Sequence, residues 1–160
     1  MINRNMTLSD LFTIVSGVIG ALMVIGGTFL EAGRLSFMGY FYIIRFSDLG
    51  LDSILMTVRI ICLIAIATLF IPKVPKVSYS ACVIVLFALY GSKLTKGWSY
   101  YIKAMDFIRA LGLGNIVDLS KYIKASYGVY LIIAGAVIMS IVAVRYLVLF
   151  FMKERTEVEE

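Results

Sequence analysis

The sequence predicts an all-α membrane protein, built as an antiparallel bundle of four transmembrane helices. Two observations support this fold class. Apolar residues fill four stretches that together make up about half of the chain, at 11–30, 54–71, 77–91 and 126–152. The composition is also 61% hydrophobic and only 16% charged, whereas roughly a quarter of the residues of a soluble domain are charged. A bilayer core ~30 Å thick is crossed by about 20 apolar helical residues, so each stretch is a candidate span.

The spans and their connections are predicted to form a single integral membrane domain over residues 1–160. The spans lie near 10–31, 52–72, 77–93 and 126–152, and the long connections are 32–51 and 94–125. Each span is expected to be helical, because backbone groups in hydrocarbon must bond within their own segment. Ser9 or Asp10 can cap the first helix. Pro72 and Pro75 close the second and third spans into a short turn.

Small residues form stripes along the first and fourth spans. The residues expected to seat neighbouring helices are Ser16, Gly17, Gly20, Ala21, Gly27, Gly128, Gly135 and Ser140. In the first span Ser16 and Gly20 are four residues apart, as are Gly17 and Ala21. Gly128 and Gly135 in the fourth are seven apart, so the members of each pair fall on one helix face. Such faces let two backbones approach closely. Packing within the chain is the simpler interpretation, and docking to another protein is the alternative.

The connection 32–51 has a period-two character. Its aromatic and apolar residues alternate with small or polar ones, as Leu35 and Phe37 do with Ser36. This pattern is typical of short strands and predicts a small extracytoplasmic β-hairpin that turns near residues 39–42. An aromatic segment lying at the membrane interface is the alternative interpretation.

The connection 94–125 predicts an amphipathic helix at the membrane interface. Its apolar face recurs at helical spacing and comprises Trp98, Tyr101, Ile102, Met105 and Ile108. Charged residues occupy the opposite face, and the aromatic start is suited to the headgroup level. Asn115 and Asp118 then have the pattern of a new helix N-terminus, which would lead through Ile123 towards the fourth span.

Two short motifs carry a resemblance to known proteins. The motif residues are Phe29 and Leu30 at the end of the first span, and Gly128, Tyr130, Leu131 and Gly135 in the fourth. In outline the chain resembles uncharacterised four-helix membrane proteins of bacteria and archaea, which are tetraspan and claudin-like. It departs from their pattern at Glu31 and Ala32, where they have Pro-Trp, and at Ser126, where they have Gly. It also lacks the Trp-Gly-Leu-Trp and the paired loop cysteines of true claudins. The resemblance implies the architecture and no activity.

One charge lies well inside a central span. Arg59 is about two turns into the second span, and charged residues inside membrane segments are the first place to look for function. Its expected partners in an intramembrane ion pair are Glu31, at the end of the first span, and Asp52, on a similar face of the second. The pair is interpreted as a structural tether, and a guard on an anion or proton path is the alternative. Arg145 is expected to extend to the lipid headgroups.

The sequence contains no motif for a catalytic, cofactor or metal site. It has no histidine, which removes the commonest transition-metal ligand and the usual near-neutral acid–base group. Cys62 and Cys82 lie within apolar segments and are expected to be small buried residues rather than a disulfide. Serines in the spans have no activating base. The net charge is +5. The Lys and Arg residues lie beside the spans, which indicates contacts with lipid headgroups rather than with nucleic acid.

These observations predict a membrane accessory or structural subunit, not an enzyme, that packs against partner proteins in a complex. Its expected partners are the lipid bilayer and other membrane protein subunits, or further copies of itself. A small oligomeric transporter or channel component is the alternative, and a membrane enzyme acting on a bound lipid is a third option.

Both termini are expected on the cytoplasmic side of the cell membrane. An even number of spans places the two termini on the same side. The two-lysine turn between the second and third spans and the basic residues Lys153 and Arg155 favour a cytoplasmic location for that side. A raw count of Lys and Arg in the connections favours the opposite orientation.

Overall fold

The computed structural model describes residues 8–37, 40–46, 51–71, 74–91 and 123–158. Over these ranges the chain is mostly helical and contains one small sheet. In chain order the elements are α1 (Leu8–Gly27), β1 (Glu31–Phe37), β2 (Tyr40–Arg45), α2 (Asp52–Phe70), α3 (Val77–Gly91), β3 (Ile123–Ala125) and α4 (Tyr127–Val158).

Three of the described helices are long and apolar enough to cross a membrane, which indicates a membrane-embedded protein. They are α1, α2 and the segment Tyr127–Met152 of α4. α3 is apolar but shorter; at 1.5 Å per residue it is ~22 Å long, against a hydrocarbon core of ~30 Å. α4 continues past the predicted end at 152 to Val158, because residues 153–158 include neither Gly nor Pro to stop it.

The first helix is shorter than predicted. It ends at Gly27 rather than at residue 31. The Leu30 N–H donates to Gly27 O at 3.2 Å, only three residues back, so the chain tightens into a final turn and leaves the helix. The successive glycines at 26 and 27 favour this ending, because glycine stabilises a helix less than other residues do. Glu31 therefore begins β1 instead of ending the span.

A three-stranded antiparallel sheet, in the order β2-β1-β3, follows α1. β1 and β2 form the predicted hairpin. Phe37 pairs with Tyr40, so residues 40–42, which were predicted to lie at the turn, belong to β2. The alternation of aromatic and small residues was therefore a strand pattern and not only an interfacial one.

The third strand contradicts the prediction for the residues before the fourth span. Ile123–Ala125 was expected to lie in a helical segment, but it pairs with residues 33–35 of β1. The Ser126 N–H extends the contact by donating to Ala32 O at 3.2 Å. The strand depends on a partner in the first connection, so the local pattern of the sequence could not reveal it.

The apolar core lies between the four described helices. Its largest fully buried side chains include Val24 of α1, Val58 of α2, Tyr79 of α3 and Met139 of α4. The Tyr79 ring meets the edge of the Tyr146 ring, with 6.1 Å between the centroids. Each helix thus buries one face, while large apolar side chains remain exposed on the outer faces, as expected for helices surrounded by lipid.

Candidate functional site

Arg59 and Thr28 join α2 to the end of α1. Arg59 Nε donates to Thr28 Oγ1 at 2.8 Å, and Nη2 donates to Thr28 O at 3.3 Å. Thr28 is only 4% exposed, and its hydroxyl donates in turn to Ile25 O at 2.6 Å. Because a hydroxyl can accept and donate at once, Thr28 binds the arginine and satisfies a carbonyl in the last turn of α1.

The Phe29 ring covers one face of the same guanidinium group. Arg59 Cζ lies 3.8 Å from the ring centroid, within the range of a cation–π contact. The ring itself is 68% exposed. Phe29 therefore lies between the charge and the surroundings of the bundle. We call Arg59, Thr28 and Phe29 the arginine site.

The predicted ion pair is absent from the described residues. Neither Glu31 nor Asp52 forms a salt bridge with Arg59. Asp52 is the exposed first residue of α2. Since α1 ends at Gly27, Glu31 belongs to the sheet, and its carboxylate is bonded there. Sequence reasoning looked for an acid and so missed the hydroxyl and the aromatic ring that directly follow α1.

The Glu31 carboxylate links β1 to the start of α4. Its Oε2 accepts from Arg34 Nε at 2.9 Å and from Ser126 Oγ at 3.3 Å. The hydrogen bond from Arg34 is the largest cause that holds the pKa of the Glu31 carboxyl below its usual value of 4.5. The Ser126 hydroxyl and the nearby Arg45 charge lower this pKa further.

We expect Glu31 to stabilise the fold slightly at neutral pH and to lose that effect in acid. Its folded pKa is depressed, so the stabilisation is present above the usual pKa and disappears as the pH falls through the folded value. In thermal unfolding of the detergent-solubilised chain, Glu31→Gln should melt below wild type at neutral pH and together with it in acid. Asp52→Asn, which changes a carboxylate outside this contact, should lose at most a helix-dipole interaction in the first turn of α2 and so melt closer to wild type than Glu31→Gln does. A gap between Glu31→Gln and wild type that persists in acid would exclude this role.

The glycines predicted to pack helices lie between α1 and α4. A Cβ added to Gly20 would be 3.0 Å from Gly135 O, and one added to Gly135 would be 2.5 Å from Gly20 O. Gly27 and Gly128 face each other in the same way, at 2.8 and 2.9 Å. The contacts run in opposite order along the two helices. Glycine at these four positions allows the two backbones to approach this closely; we call them the glycine contact.

The other predicted packing residues have more varied surroundings. Ala21 is fully buried, and a Cβ on Gly17 would meet side chains of the other three helices. Ser140 Oγ donates to Ala136 O within α4 at 2.7 Å, which satisfies the hydroxyl locally. Ser16 is half-buried. Among these residues, the glycine contact supplies the close approach of the two backbones described above.

At the opposite end of the bundle, Arg145 binds the first turn of α1. Its Nη2 donates to Ser9 Oγ at 2.6 Å and lies 3.9 Å from Asp10 Oδ1. Arg145 was expected to extend to the lipid headgroups. Its side chain instead joins α4 to the first turn of α1. Asp10 also carries a negative charge in the first turn of α1, where the helix dipole favours it.

Two buried polar side chains that the sequence did not single out bond to the backbones of neighbouring helices. Ser80 Oγ donates to Ala143 O at 2.8 Å, and Tyr79 Oη donates to Gly17 O at the longer distance of 3.4 Å. Both residues are fully buried. Hydrogen bonds of this kind join helices in an apolar environment, so the start of α3 is tied to both α1 and α4.

The described residues offer a positive charge and hydrogen-bond donors rather than a metal centre. Among them, no group of three or more acidic or cysteine side chains is placed to hold a metal. Cys62 is buried, Cys82 is half-buried, and both are free thiols. The predicted interfacial helix falls outside the described residues, with Trp98, Tyr101, Ile102, Met105 and Ile108.

Comparison with protein-family models, with curated proteins and with solved structures returned no match. The arginine site, the glycine contact and the exposed helix faces are the features from which a function can be argued.

Proposed function

We propose that the chain is an integral membrane accessory or structural subunit, which packs against partner proteins in a membrane complex. One observation carries this proposal: the buried serine and threonine hydroxyls of the described helices donate to backbone carbonyls within the chain, while the outer helix faces are apolar. Within the described ranges, the outer apolar faces and the sheet are the surfaces that remain for a partner to bind.

The inward polar groups support a role in packing. Ser80, Tyr79 and Thr28 each donate to a backbone carbonyl, and Thr68 donates to Ala65 O at 2.7 Å within α2. These bonds satisfy groups that would otherwise be costly to bury in an apolar bundle. Their hydroxyl protons are engaged within the chain rather than directed at a substrate.

The outward faces support contact with other membrane helices. On α4 the exposed apolar residues recur at helical spacing, at Ile133, Val137, Ile141, Val144 and Val148. On α2 a second stripe comprises Met56, Ile60, Leu63 and Ile64. Each stripe follows one side of its helix, so a partner helix could lie along either of them.

The proposal includes four spans, with both termini on the cytoplasmic side of the cell membrane. The glycine contact supports antiparallel packing of α1 and α4. The bonds from Tyr79 and Ser80 support the inclusion of α3 as a short span, since they attach it to both of these helices. The basic residues Lys153 and Arg155, after the apolar part of α4, support cytoplasmic termini.

A small oligomeric transporter or channel component is the second candidate function. The half-buried guanidinium of Arg59 favours it, because charged groups inside membrane segments often mark the path of an ion or substrate. Four spans seldom enclose a pore alone, so this function requires several copies of the chain.

Native mass spectrometry of the tagged full chain, extracted gently from its own membrane, tests both candidates. A stoichiometric unlike partner supports the accessory subunit. A homo-oligomer that also conducts ions or solute in liposomes supports the transporter component. A chain that is monomeric in mild detergent and inactive in liposomes contradicts both.

Two substitutions sharpen the test of the accessory subunit. Val137→Trp adds bulk to the stripe on α4, and Ile60→Trp adds the same bulk to the stripe on α2; both sites are more than half exposed. We expect one of them to release the partner, while both proteins melt like wild type. If both variants retain the partner, the interface does not lie on either of these stripes.

A further inference from the structure

We propose that Arg59 binds the phosphate of an anionic lipid headgroup at the end of α1. Three observations carry the proposal: the guanidinium has unused donors, it lies where the chain leaves the helical bundle, and the described residues supply no carboxylate to it.

The guanidinium group is held in place but not saturated. Arginine has five N–H groups, of which Nε–H and one Nη2–H bond to Thr28. The other three N–H groups have no acceptor among the described residues. Because two bonds and the Phe29 ring fix the plane of the group, its free edge is oriented before a ligand arrives. A planar fork of this kind matches the oxygens of a phosphate.

The guanidinium group lies at the end of the helical bundle where α1 ends. Arg59 is seven residues into α2, which is ~10 Å along the helix axis. Its contacts, however, are with Thr28 and Phe29, directly after the end of α1 at Gly27. There the chain passes from an apolar helix into the sheet. Arginine side chains near the ends of spans characteristically reach the phosphates of the interface.

One of the two acids predicted to pair with Arg59 is already engaged. Glu31 comes two residues after Phe29 in the chain, but its carboxylate accepts hydrogen bonds from Arg34 and Ser126. An arginine half-buried in an apolar environment needs a counter-charge. Glu31 is engaged elsewhere and the exposed Asp52 forms no salt bridge with Arg59, so a counter-charge for Arg59 has to come from outside the described residues. In a bilayer the lipid phosphate is the anion present at this depth.

Free phosphate offers the same chemistry, so the experiment separates the two sources. The delipidated full chain is titrated with phosphatidylglycerol, with phosphatidylcholine and with inorganic phosphate, and binding is followed by native mass spectrometry and thermal unfolding. We expect phosphatidylglycerol to bind and to raise the melting temperature more than phosphatidylcholine does. Stabilisation by inorganic phosphate alone, to the same extent, would assign the site to a free anion.

Arg59→Gln is the decisive variant, and Arg34→Gln is its matched control. Each removes one positive charge on the same side of the bundle, but Arg34 is already bonded to Glu31. We expect Arg59→Gln to weaken phosphatidylglycerol binding by about tenfold or more, as the loss of charge-assisted hydrogen bonds implies. Arg34→Gln should bind like wild type. If both variants weaken phosphatidylglycerol binding equally, the loss follows from the change in net charge alone, and the proposal is overturned.

Arg59→Lys keeps the test possible if Arg59→Gln does not fold. Lysine retains the charge and can reach Thr28, but it has no planar fork. We expect folded Arg59→Lys to bind phosphatidylglycerol several-fold more weakly than wild type. Affinity equal to that of wild type would contradict a site built on the guanidinium plane.

Discussion

Gly135→Leu should abolish most of the folded protein, because it places a side chain where two backbones meet. A Cβ at this position would be 2.5 Å from Gly20 O and 2.9 Å from Val24 N. Both are backbone atoms of α1, so a rotamer change cannot relieve the clash. We expect destabilisation at or above the upper end of the ~1–3 kcal/mol that overpacking usually costs. Gly20→Leu should have a similar effect. Folded yield and circular-dichroism melting in detergent measure both.

Leu22→Ile provides the control on the same helix. Leu22 is 54% exposed on the outer face of α1, so exchanging one apolar side chain for another there should change the melting temperature very little. If all three variants fold equally well, the glycine contact does not hold α1 against α4.

Neighbouring glycines at the end of α1 give a finer comparison. A Cβ on Gly26 would meet only Leu131 Cδ2 at 3.7 Å, whereas one on Gly27 would lie 2.6 Å from Ile132 Cγ1 and 2.8 Å from Gly128 O. Both glycines lie in the last turn of α1, so alanine in place of either should gain a similar helix propensity, below the ~0.5–1 kcal/mol of a helix interior. Gly26→Ala should therefore be neutral or stabilising, and Gly27→Ala should be destabilising. Identical melting of the two alanine variants would show that space is not the reason for glycine at 27.

The helices and the glycine faces were accessible from the sequence because both are local properties. A helix in hydrocarbon is fixed by the length and composition of one segment. The seven-residue spacing of Gly128 and Gly135 places them on one face whatever the partner is. The spacing does not name the partner, however. That Gly20 meets Gly135 is a pairing between distant parts of the chain, and only the structure supplies it.

In the sheet, too, pairing between neighbouring segments could be predicted from the sequence, and pairing between distant segments could not. The hairpin of β1 and β2 joins neighbouring segments, and its alternation is visible in the printed sequence. β3 is a strand because residues 33–35 lie beside it, and Ile123 carries no local sign of this pairing. The helix N-terminus pattern at Asn115 and Asp118 therefore led to the wrong prediction of a helix through Ile123.

At the arginine site, a small error in the predicted end of α1 led to the wrong partner for Arg59. Extending α1 to residue 31 would have kept Glu31 on the helix, within plausible reach of Arg59. The helix ends at Gly27, so the side chains nearest the guanidinium are a hydroxyl and an aromatic ring. The expectation that a buried charge must be bonded was sound. The assumption that its partner within the chain must be an acid was not.

Thr28→Val should destabilise the protein more than Thr28→Ser, because valine keeps the shape and removes the acceptor of Arg59. The hydroxyl is 2.8 Å from Arg59 Nε and 2.6 Å from Ile25 O, and the residue is 4% exposed. Stranding a buried partner of this kind costs ~1–3 kcal/mol, and more when that partner is charged. Serine keeps both hydrogen bonds and loses one methyl group, so its cost should stay near ~1 kcal/mol. Equilibrium unfolding in detergent without added lipid measures both variants.

The double variant Thr28→Val with Arg59→Met separates the hydrogen bond from simple packing. Methionine keeps an unbranched apolar stem in the helix but carries no donor, so nothing is left unsatisfied when valine replaces Thr28. Removing both partners is often less damaging than removing one, since only the single change strands the other group. We therefore expect the double variant to be more stable than the sum of the two single effects predicts, by ~0.5–3 kcal/mol of coupling. Additive effects within ~0.5 kcal/mol would mean that Thr28 and Arg59 act independently, and the contact between α2 and the end of α1 would then rest on the Phe29 ring and apolar packing.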